Sequence, residues 1–541
     1  MKKAMRWATP AALVLTATTA AAQPRPPQIS VPEVLAIELP APGVSELAPT
    51  ASPLRELLEA ARLQGQPAAH NVTRPLRAGT TTAVTWSATD GSGRTVTRTE
   101  PLHVFPFGQA PVGVSRIERA TGGNNAPKIA RDAEGKVHMV WLDAGRPGTE
   151  PRVLYRRAST DPQTGAVTWE TDPLMVSTRT TVSQGPFPAL RISKGAVHIA
   201  WAGPNESTKY RRLVRTGTGW TPEAIRDTRA PGGQWDKGPG LDVRGDDEIH
   251  VISPSGRYAF SKDGGTFWSR DALPRPPAGS IKGPALAVDA LGNSHVVYTV
   301  KVRSPASWSS GRPNRAYWEL RYARRAPDGT WAEGLNVLAG QPGWAEPTND
   351  DDVLADWPDI AVDGAGNVHV GWHGTANTHI YGRDEAFYAR RPATGPGAWG
   401  AWEAPQLLFA RPAGSRGHYS FAPSLSVDTD GDVAFALTFA DLTQNLDLKM
   451  DSMARMLRGG RLQGAPVALS TRAAAALAQG RPEAALAAWF PMAAPRLYVA
   501  APGRVWLDVL QNLVPHSDNA DSYIVYQRVD VSALVAEPAR R

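Results

Sequence analysis

The chain of 541 residues contains no cysteine, so disulfide staples and thiol chemistry are both excluded. Its folded core must hold without covalent help. Long apolar runs are absent after the first 22 residues, which leaves no later candidate for a membrane-spanning helix. Blocks of one charge are also missing. Lys and Arg number 58 against 51 Asp and Glu, and three of the net +7 charges are Lys2, Lys3 and Arg6. Scattered charge of this kind gives no basic stripe, so no nucleic-acid partner is expected. Helical periodicity is scarce outside one late alanine-rich stretch. What is plentiful is Gly (50), Pro (48) and Trp (18), the composition of many short strands joined by turns.

The N-terminus reads as an export signal. Lys2, Lys3 and Arg6 precede a short apolar run, and Ala20-x-Ala22 before Gln23 fits a small-residue cleavage site. The expectation is a signal peptide over 1–22 and a mature chain that is secreted or periplasmic. A separate unit follows over 29–106. Its stretch "AGTTTAVTWSATDGSGRTVTRTEPLHVF" (78–105) alternates like a strand, turns at Asp90-Gly-Ser-Gly93 and alternates again. "SPLRELLEAARLQG" (52–65) has helical spacing.

From residue 127 the chain repeats itself. The units begin "PKIARDAEGKVHMVW" (127), "PALRISKGAVHIAW" (188), "PGLDVRGDDEIHVIS" (239), "PALAVDALGNSHVVY" (284), "PDIAVDGAGNVHVGW" (358), "PSLSVDTDGDVAFAL" (423) and "PRLYVAAPGRVWLDV" (495). In six of them the same strand position falls ten residues after the proline; the second is one shorter. Each unit predicts a strand, a Gly turn, a second strand, a variable loop and a third strand such as "VLYRRA" (153–158). A turn and a Trp follow in many: Trp169, Trp220, Trp268, Trp331 and Trp399. Four strands per unit is a propeller blade. The predicted fold is all-β: a β-propeller of seven blades over 112–532, with six as the alternative, closed by a strand at 113–120 that completes the last blade.

Two resemblances refine this. The hairpin over 78–105 resembles hyalin-repeat, immunoglobulin-like modules at Gly79, Thr80, Thr81, Val84, Trp86, Ala88, Asp90 and Gly93. That implies a small immunoglobulin-like β-sandwich over 29–106 that spaces or presents its neighbour. Ser261-Lys-Asp263-Gly-Gly265-Thr-Phe-Trp268 resembles the Asp-box (BNR repeat) of sialidase-like propellers, with "APDGTWAE" (326–333) as a degraded copy. In that superfamily the Asp and Ser close a turn, the Trp packs between blades, and the turn lies opposite the active face. The resemblance therefore implies scaffold at Ser261–Trp268.

Chemistry is expected on the face shared by the loops that precede each blade proline and the loops between second and third strands. The residues gathered there are Trp235, Asp236, Lys237, Asp356, Trp357, Arg416, His418 and Tyr419, with Trp344, His373, Arg383 and Glu385 from the long loops. Aromatic faces stack on sugar rings, and charged forks fix hydroxyls and carboxylates. His418, Tyr419, Arg416, Arg383 and Asp236 are the catalytic candidates; Trp235, Lys237, Trp344, Asp356, Trp357, His373 and Glu385 are the binding candidates. The family's early Arg-Ile-Pro motif is absent. Seven-bladed propellers of this kind also include polysaccharide lyases, whose elimination needs a His or Tyr base and a cation on the uronate carboxylate. The expectation is a protein that binds, and can cleave, a glycan such as an acidic polysaccharide or a sialoglycan. A non-catalytic lectin, adhesion or envelope scaffold is the alternative.

No cofactor is expected, nor a catalytic metal. His138, His198, His250, His295 and His369 recur at one strand position, where packing explains them better than a metal ring. "DTDGD" (428–432) resembles a calcium loop, yet it aligns with the hairpin turns of the other units. The partner expected is a glycan, and the protein a monomer.

Overall fold

A computed structural model describes residues 27–32, 34–115, 120–121, 126–143, 151–178, 187–204, 207–217, 219–231, 238–274, 281–303, 316–341, 355–374, 385–409, 418–428, 430–441, 450–469, 494–501, 504–513 and 522–535. The signal-peptide expectation and the alanine-rich stretch lie outside these residues. No helix among them is long and apolar enough to cross a membrane.

Each repeat unit folds into its own antiparallel sheet, with strands side by side in chain order. The first sheet runs Ile129–Arg131, Val137–Asp143, Arg152–Thr160, Val167–Trp169. The second strand of a unit is buried on both faces. Every residue of Val137–Asp143, Ala196–Ala202 and Val368–Gly374 is inaccessible. That explains why these segments read as continuous apolar runs: neighbouring sheets cover both sides.

The hairpin between first and second strands is built by an Asp. Asp132 Oδ1 accepts the amides of Glu134 (3.1 Å) and Lys136 (2.9 Å), while Gly135 takes φ 78°, which a side chain would disfavour. Asp289, Asp363 and Asp428 do the same in later units. Asp428 of the calcium-like stretch thus spends one carboxylate oxygen on the amides of Asp430 and Asp432.

Seven such sheets follow one another among the described residues. Their first strands touch in sequence from Ile129–Arg131 through Pro188–Ile192, Gly240–Arg244, Ile281–Val288, Asp356–Val362 and His418–Val427 to Ala494–Ala501, which touches Ile129–Arg131 again. This closed circuit of radial sheets is a β-propeller.

The seventh sheet takes its fourth strand from before the first. Gln109–Ser115 pairs with Ser522–Asp530, from Ser522 opposite Ser115 to Gln527 opposite Gln109. The closing strand therefore starts at 109, not 113. Gly108, at φ 94°, turns the chain directly out of the preceding strand, and all seven residues of Gln109–Ser115 are buried. A buried ion pair locks the same seam. Arg131 of the first sheet forks onto Asp508 of the seventh at 2.5 and 2.9 Å, with 4% and 0% of the side chains exposed. Tyr526 joins both, accepting from Arg131 and donating to Asp508.

The N-terminal unit has a sheet in the order Ala36–Glu38, Thr95–Phe105, Thr81–Thr89, Ala69–His70. The expected helix is shorter than its spacing suggested. It spans Ser52–Glu59, and Arg62–Leu63 already pairs with Gln66–Pro67 around Gln64 and Gly65 at φ 50° and 84°. Its Leu54 and Leu58 pack with Trp86, whose indole donates to the Leu58 carbonyl at 3.0 Å. The unit is joined to the closing seam: Ala36 and Phe105 pack with Val114, Leu513 and Tyr523, and Glu38 pairs with Arg528.

Replacing Arg131 by Met should destabilise the fold by about 3–5 kcal/mol, because Asp508 stays buried without its cation. The double change Arg131→Met with Asp508→Leu should recover most of that loss. Arg77→Ala, which breaks the exposed pair with Glu46, should cost less than about 1 kcal/mol. Denaturant midpoints for the four proteins check this, and a double variant no better than the single would remove the lock.

Candidate functional site

Two sequence features that look chemical are structural. Ser261 donates to Asp263 at 2.7 Å and accepts the Gly265 amide at 2.9 Å, while Asp263 accepts the amides of Thr266 and Phe267. Those amides, Phe267 first, hold the Asp263 carboxyl below its ordinary range. Gly265 sits at φ 91°, and a Cβ there would lie 2.6 Å from the Tyr210 ring. Trp268 covers Tyr210 of the preceding sheet edge-on at 5.3 Å. The Ser261 and Asp263 side chains are spent on the turn itself.

The five recurring histidines likewise spend both ring nitrogens. Nδ1 meets the hydroxyl of a Tyr on the third strand of the same sheet: Tyr155, Tyr210, Tyr258, Tyr322 and Tyr388. Nε2 meets Asp132, Ser193, Glu248, Asp289 and Asp363 at the hairpin. A Trp from the next unit then closes on the His or Tyr, as Trp220 on His138, Trp331 on Tyr258 and Trp399 on His295. These are hairpin-to-strand braces, sealed by the neighbouring sheet.

The opposite end of the sheets is built differently. Three successive first strands extend two to five residues beyond their proline through a bulge. The register slips between Lys282 and Ala285, between Asp356 and Asp359, and between Phe421 and Ser424. Bulges of this kind re-aim side chains and gather beside functional sites. On the rim so formed, Lys282 of the fourth sheet pairs with the buried Asp356 of the fifth. Its ammonium lies 5.3 Å from the Trp318 ring, and Lys301 lies 6.0 Å from the same ring. Trp357 follows with φ 49°, a left-handed backbone that is costly for a bulky residue by about 1–3 kcal/mol. His373 stands opposite Asp356 in the ladder, and Glu385 opposite Gly374.

Of the residues named from sequence, Asp356, Trp357, His373 and Glu385 thus meet at one end of the fifth sheet. His418 and Tyr419 open the first strand of the sixth sheet at the same end, opposite Asp441 and Ala440. Trp235, Asp236, Lys237, Trp344, Arg383 and Arg416 lie outside the described residues. Among the described residues no group of three or more His, Asp or Glu is arranged to hold a metal ion.

Sequence reasoning missed two buried charges. Lys128 and Asp359 each follow a unit proline, Lys128 just before the first strand of the first sheet and Asp359 on the first strand of the fifth. Both are buried. Burial lowers the Lys128 amine to about 7 and raises the Asp359 carboxyl to about 7, and the amine and carboxylate attract one another. Asp359 also accepts the Leu425 amide of the next sheet at 2.8 Å. Charged residues at a position held by Ala, Gly or Ser in four of the seven units were the available signal.

Trp268→Ala should cost a few kcal/mol of stability, of the order found for large-to-small core changes, and leave any ligand affinity unchanged. The His braces predict acid sensitivity with a definite sign. Burial depresses the pKa of His198 to about 3 from 6.5, so as pH falls through this window the unfolded chain takes up a proton that the folded chain refuses. Stability from this group is complete above pH 6.5 and is lost progressively below it. Burial depresses His138 and His295 in the same direction. Thermal melts across that range should fall steeply, and less steeply for His198→Gln; parallel curves would contradict the brace.

No protein-family profile matches the chain, and no curated protein matches it. Solved structures do. An ulvan lyase of polysaccharide lyase family PL25, bound to -[GlcA(1-4)Rha3S]-, aligns at TM-score 0.44 and 12% identity over 77% of this chain and 97% of that one. Polysaccharide lyase Uly1 aligns at 0.39 and 13%, over 75% and 90%. The alpha-L-arabinanase of Penicillium chrysogenum, complexed with arabinobiose, aligns at 0.34 and 15%, over 63% and 99%. At this level of similarity none of them assigns a role to any residue of this chain.

Proposed function

We propose that this protein is an exported carbohydrate-active propeller that holds an acidic glycan on the rim made by its fourth, fifth and sixth sheets, and cleaves it there. The observation that carries the reading is the Lys282–Asp356 pair beside Trp318, followed by the left-handed Trp357. An indole face accepts the apolar side of a sugar ring, and an ammonium attracts its carboxylate or sulfate. Strain at Trp357 is held by the bulged strand around it, as is common where a side chain is aimed at a ligand.

In this reading His418 and Tyr419 are the proton-transfer candidates. For elimination from a uronate, one of them takes the C5 proton while a cation neutralises the carboxylate, and the glycosidic oxygen leaves. Arg383 and Arg416 are the further cations proposed. Asp236, Trp235, Lys237 and Trp344 complete the mouth. Ser261–Trp268 is an Asp-box-like turn on the far face, 29–106 is an immunoglobulin-like spacer, and the export signal is cleaved after Ala22. The working form is a monomer.

The test is a panel of sialylated glycans and uronate polymers with the purified protein. Retention in affinity gels, new reducing ends and ultraviolet absorbance of unsaturated sugar are followed together. The expected result is retention of an acidic polymer with product. Absorbance with new ends means elimination; new ends without it mean hydrolysis. Lys282→Met should weaken binding by about tenfold or more; because it also leaves Asp356 buried without its cation, the double change Lys282→Met with Asp356→Asn, which should hold the melting temperature, is compared on the same gels. Silence on every polymer, or unchanged binding by Lys282→Met, would overturn the reading.

A further inference from the structure

The N-terminal unit meets the seventh sheet through one face of two paired strands, Ala36–Glu38 and Thr95–Phe105. Side chains alternate along them. Leu35, Ile37, Leu102 and Val104 enter the unit's own core. The residues between them turn the other way: Val34, Ala36 and Phe105 pack on Val114, Leu513 and Tyr523 of the propeller. His103 shares that face, two residues before Phe105 and opposite Ala36 in the ladder. Its imidazole lies 4.5 Å from the Phe105 ring and 5.8 Å from the Tyr523 ring. Only 1% of the residue is exposed. A titratable group thus stands inside an apolar junction between two parts of the molecule.

Its hydrogen bonding is half met. Nδ1 meets the Thr81 hydroxyl at 2.8 Å, whereas Nε2 is buried with no partner among the described residues. A protonated imidazole would carry an N–H at Nε2 with nothing to accept it, and a charge among apolar side chains. Burial lowers the His103 pKa to about 4, and no charged group offsets that. The other titratable and charged groups on the packed strands are engaged elsewhere. The Tyr523 hydroxyl donates to the Leu35 carbonyl at 3.5 Å. Arg98 and Glu100 pair with one another and alternate onto the opposite face. Glu38 lies opposite Phe105, where it pairs with Arg528. Burial raises the Glu38 carboxyl, so that group takes up a proton on docking and acts against the histidine.

We propose that His103 is an acid-sensitive latch: its neutral imidazole lets the N-terminal unit dock on the seventh sheet, and its protonation releases the unit to swing on residues 106–108. Those three residues are all that separate Thr95–Phe105 from the closing strand Gln109–Ser115. Release uncovers Val114, Leu513 and Tyr523, while the closing strand stays paired and the propeller stays shut. In the open form the imidazole meets water and has its ordinary pKa of 6.5; in the docked form it has one of about 4. Docking strength from this group is therefore complete above pH 6.5 and is lost as pH falls towards 4. Between pH 7 and pH 5 the histidine alone should raise the open-to-closed ratio about twentyfold.

The chain has no cysteine, so a single introduced thiol reports alone. Ala36→Cys places it on the docked face, and Ala61→Cys places it in the unit's own core, which only unfolding exposes. Each is labelled in the full chain with a pyridyl disulfide that reacts in mild acid, slowly enough that the rate reports the open-to-closed ratio. Rates with His103 present are divided by rates in His103→Phe, so intrinsic thiol reactivity and the Glu38 contribution cancel. At position 36 this quotient should rise about twentyfold from pH 7 to pH 5. At position 61 it should stay near one. A quotient at position 36 that ignores pH would overturn the latch. An equal rise at position 61 would overturn it too, since His103 would then hold the unit's fold and not its docking. His103→Leu carries the same comparison if His103→Phe does not fold.

Discussion

A ring of sheets is only as stable as its seam, and here the seam joins the two ends of the chain. Six sheets are each made from one contiguous unit. The seventh borrows Gln109–Ser115 from more than four hundred residues upstream of its partner strand. Until that strand pairs with Ser522–Asp530, the seventh sheet has an open edge and the first has no cover on one face. Both seam and cover are reinforced by polar groups. Arg131, Asp508 and Tyr526 form a closed triangle of hydrogen bonds between the first and seventh sheets. Thr121 donates to Asn512 at the same junction. The N-terminal unit leans on the closing strand through Phe105 and Tyr523, so its core and the seam are one continuous apolar region.

The other junctions rely on repetition. In five sheets a His ties the hairpin to the third strand; in four of them a Trp from the next unit lies against the brace, and in the fifth Phe435 does. One residue type serves two purposes: the imidazole holds its own sheet, and its ring, or the Tyr it binds, offers a face to the neighbour. The sixth and seventh units depart from the rule, with Ala434 and Trp506 at the His position. The seventh replaces the brace with the Asp508–Tyr526 bond. A polar group inside a junction must be satisfied there, and each departure is a different way of meeting that demand.

The architecture was legible because it is periodic. Prolines, glycine turns and second-strand apolar runs recur in register, and each has a local cause: a turn needs Asp and Gly, a doubly covered strand needs Val, Ile and Trp. The closing strand was placed in the correct neighbourhood but four residues late, because "QAPV" before it reads as loop until Tyr523–Gln527 supplies its partners. The helix after Ser52 was too long on paper because Gln64-Gly65 were read for spacing and not for the tight turn they make. The rim was legible only in part. Asp356, Trp357, His373 and Glu385 converge, but the Lys282–Trp318 contact joins a position before one proline to a third strand 36 residues later. The buried Lys128 and Asp359 are less legible still: no local pattern connects the first unit to the fifth.

The two ends of the sheets divide the demands of stability and recognition. At the hairpin end, Asp132, Asp289, Asp363 and their histidines consume every polar valence locally, which leaves little to offer a ligand. At the other end the first strands run past their prolines through bulges, and a Trp is held left-handed. Proline contributes to this division in three units. It cannot donate to the ladder, and the first strands that continue beyond Pro284, Pro358 and Pro423 slip register there, whereas the seventh runs through Pro495 in register. The extra residues are then freed from the strict alternation that fixes every other side chain in the sheet. Lys282, Asp356, Trp357, His418 and Tyr419 all fall in those freed segments. A fold with nearly invariant repeats thereby gains a rim that differs from unit to unit, which is what a single asymmetric site on a pseudo-symmetric ring requires.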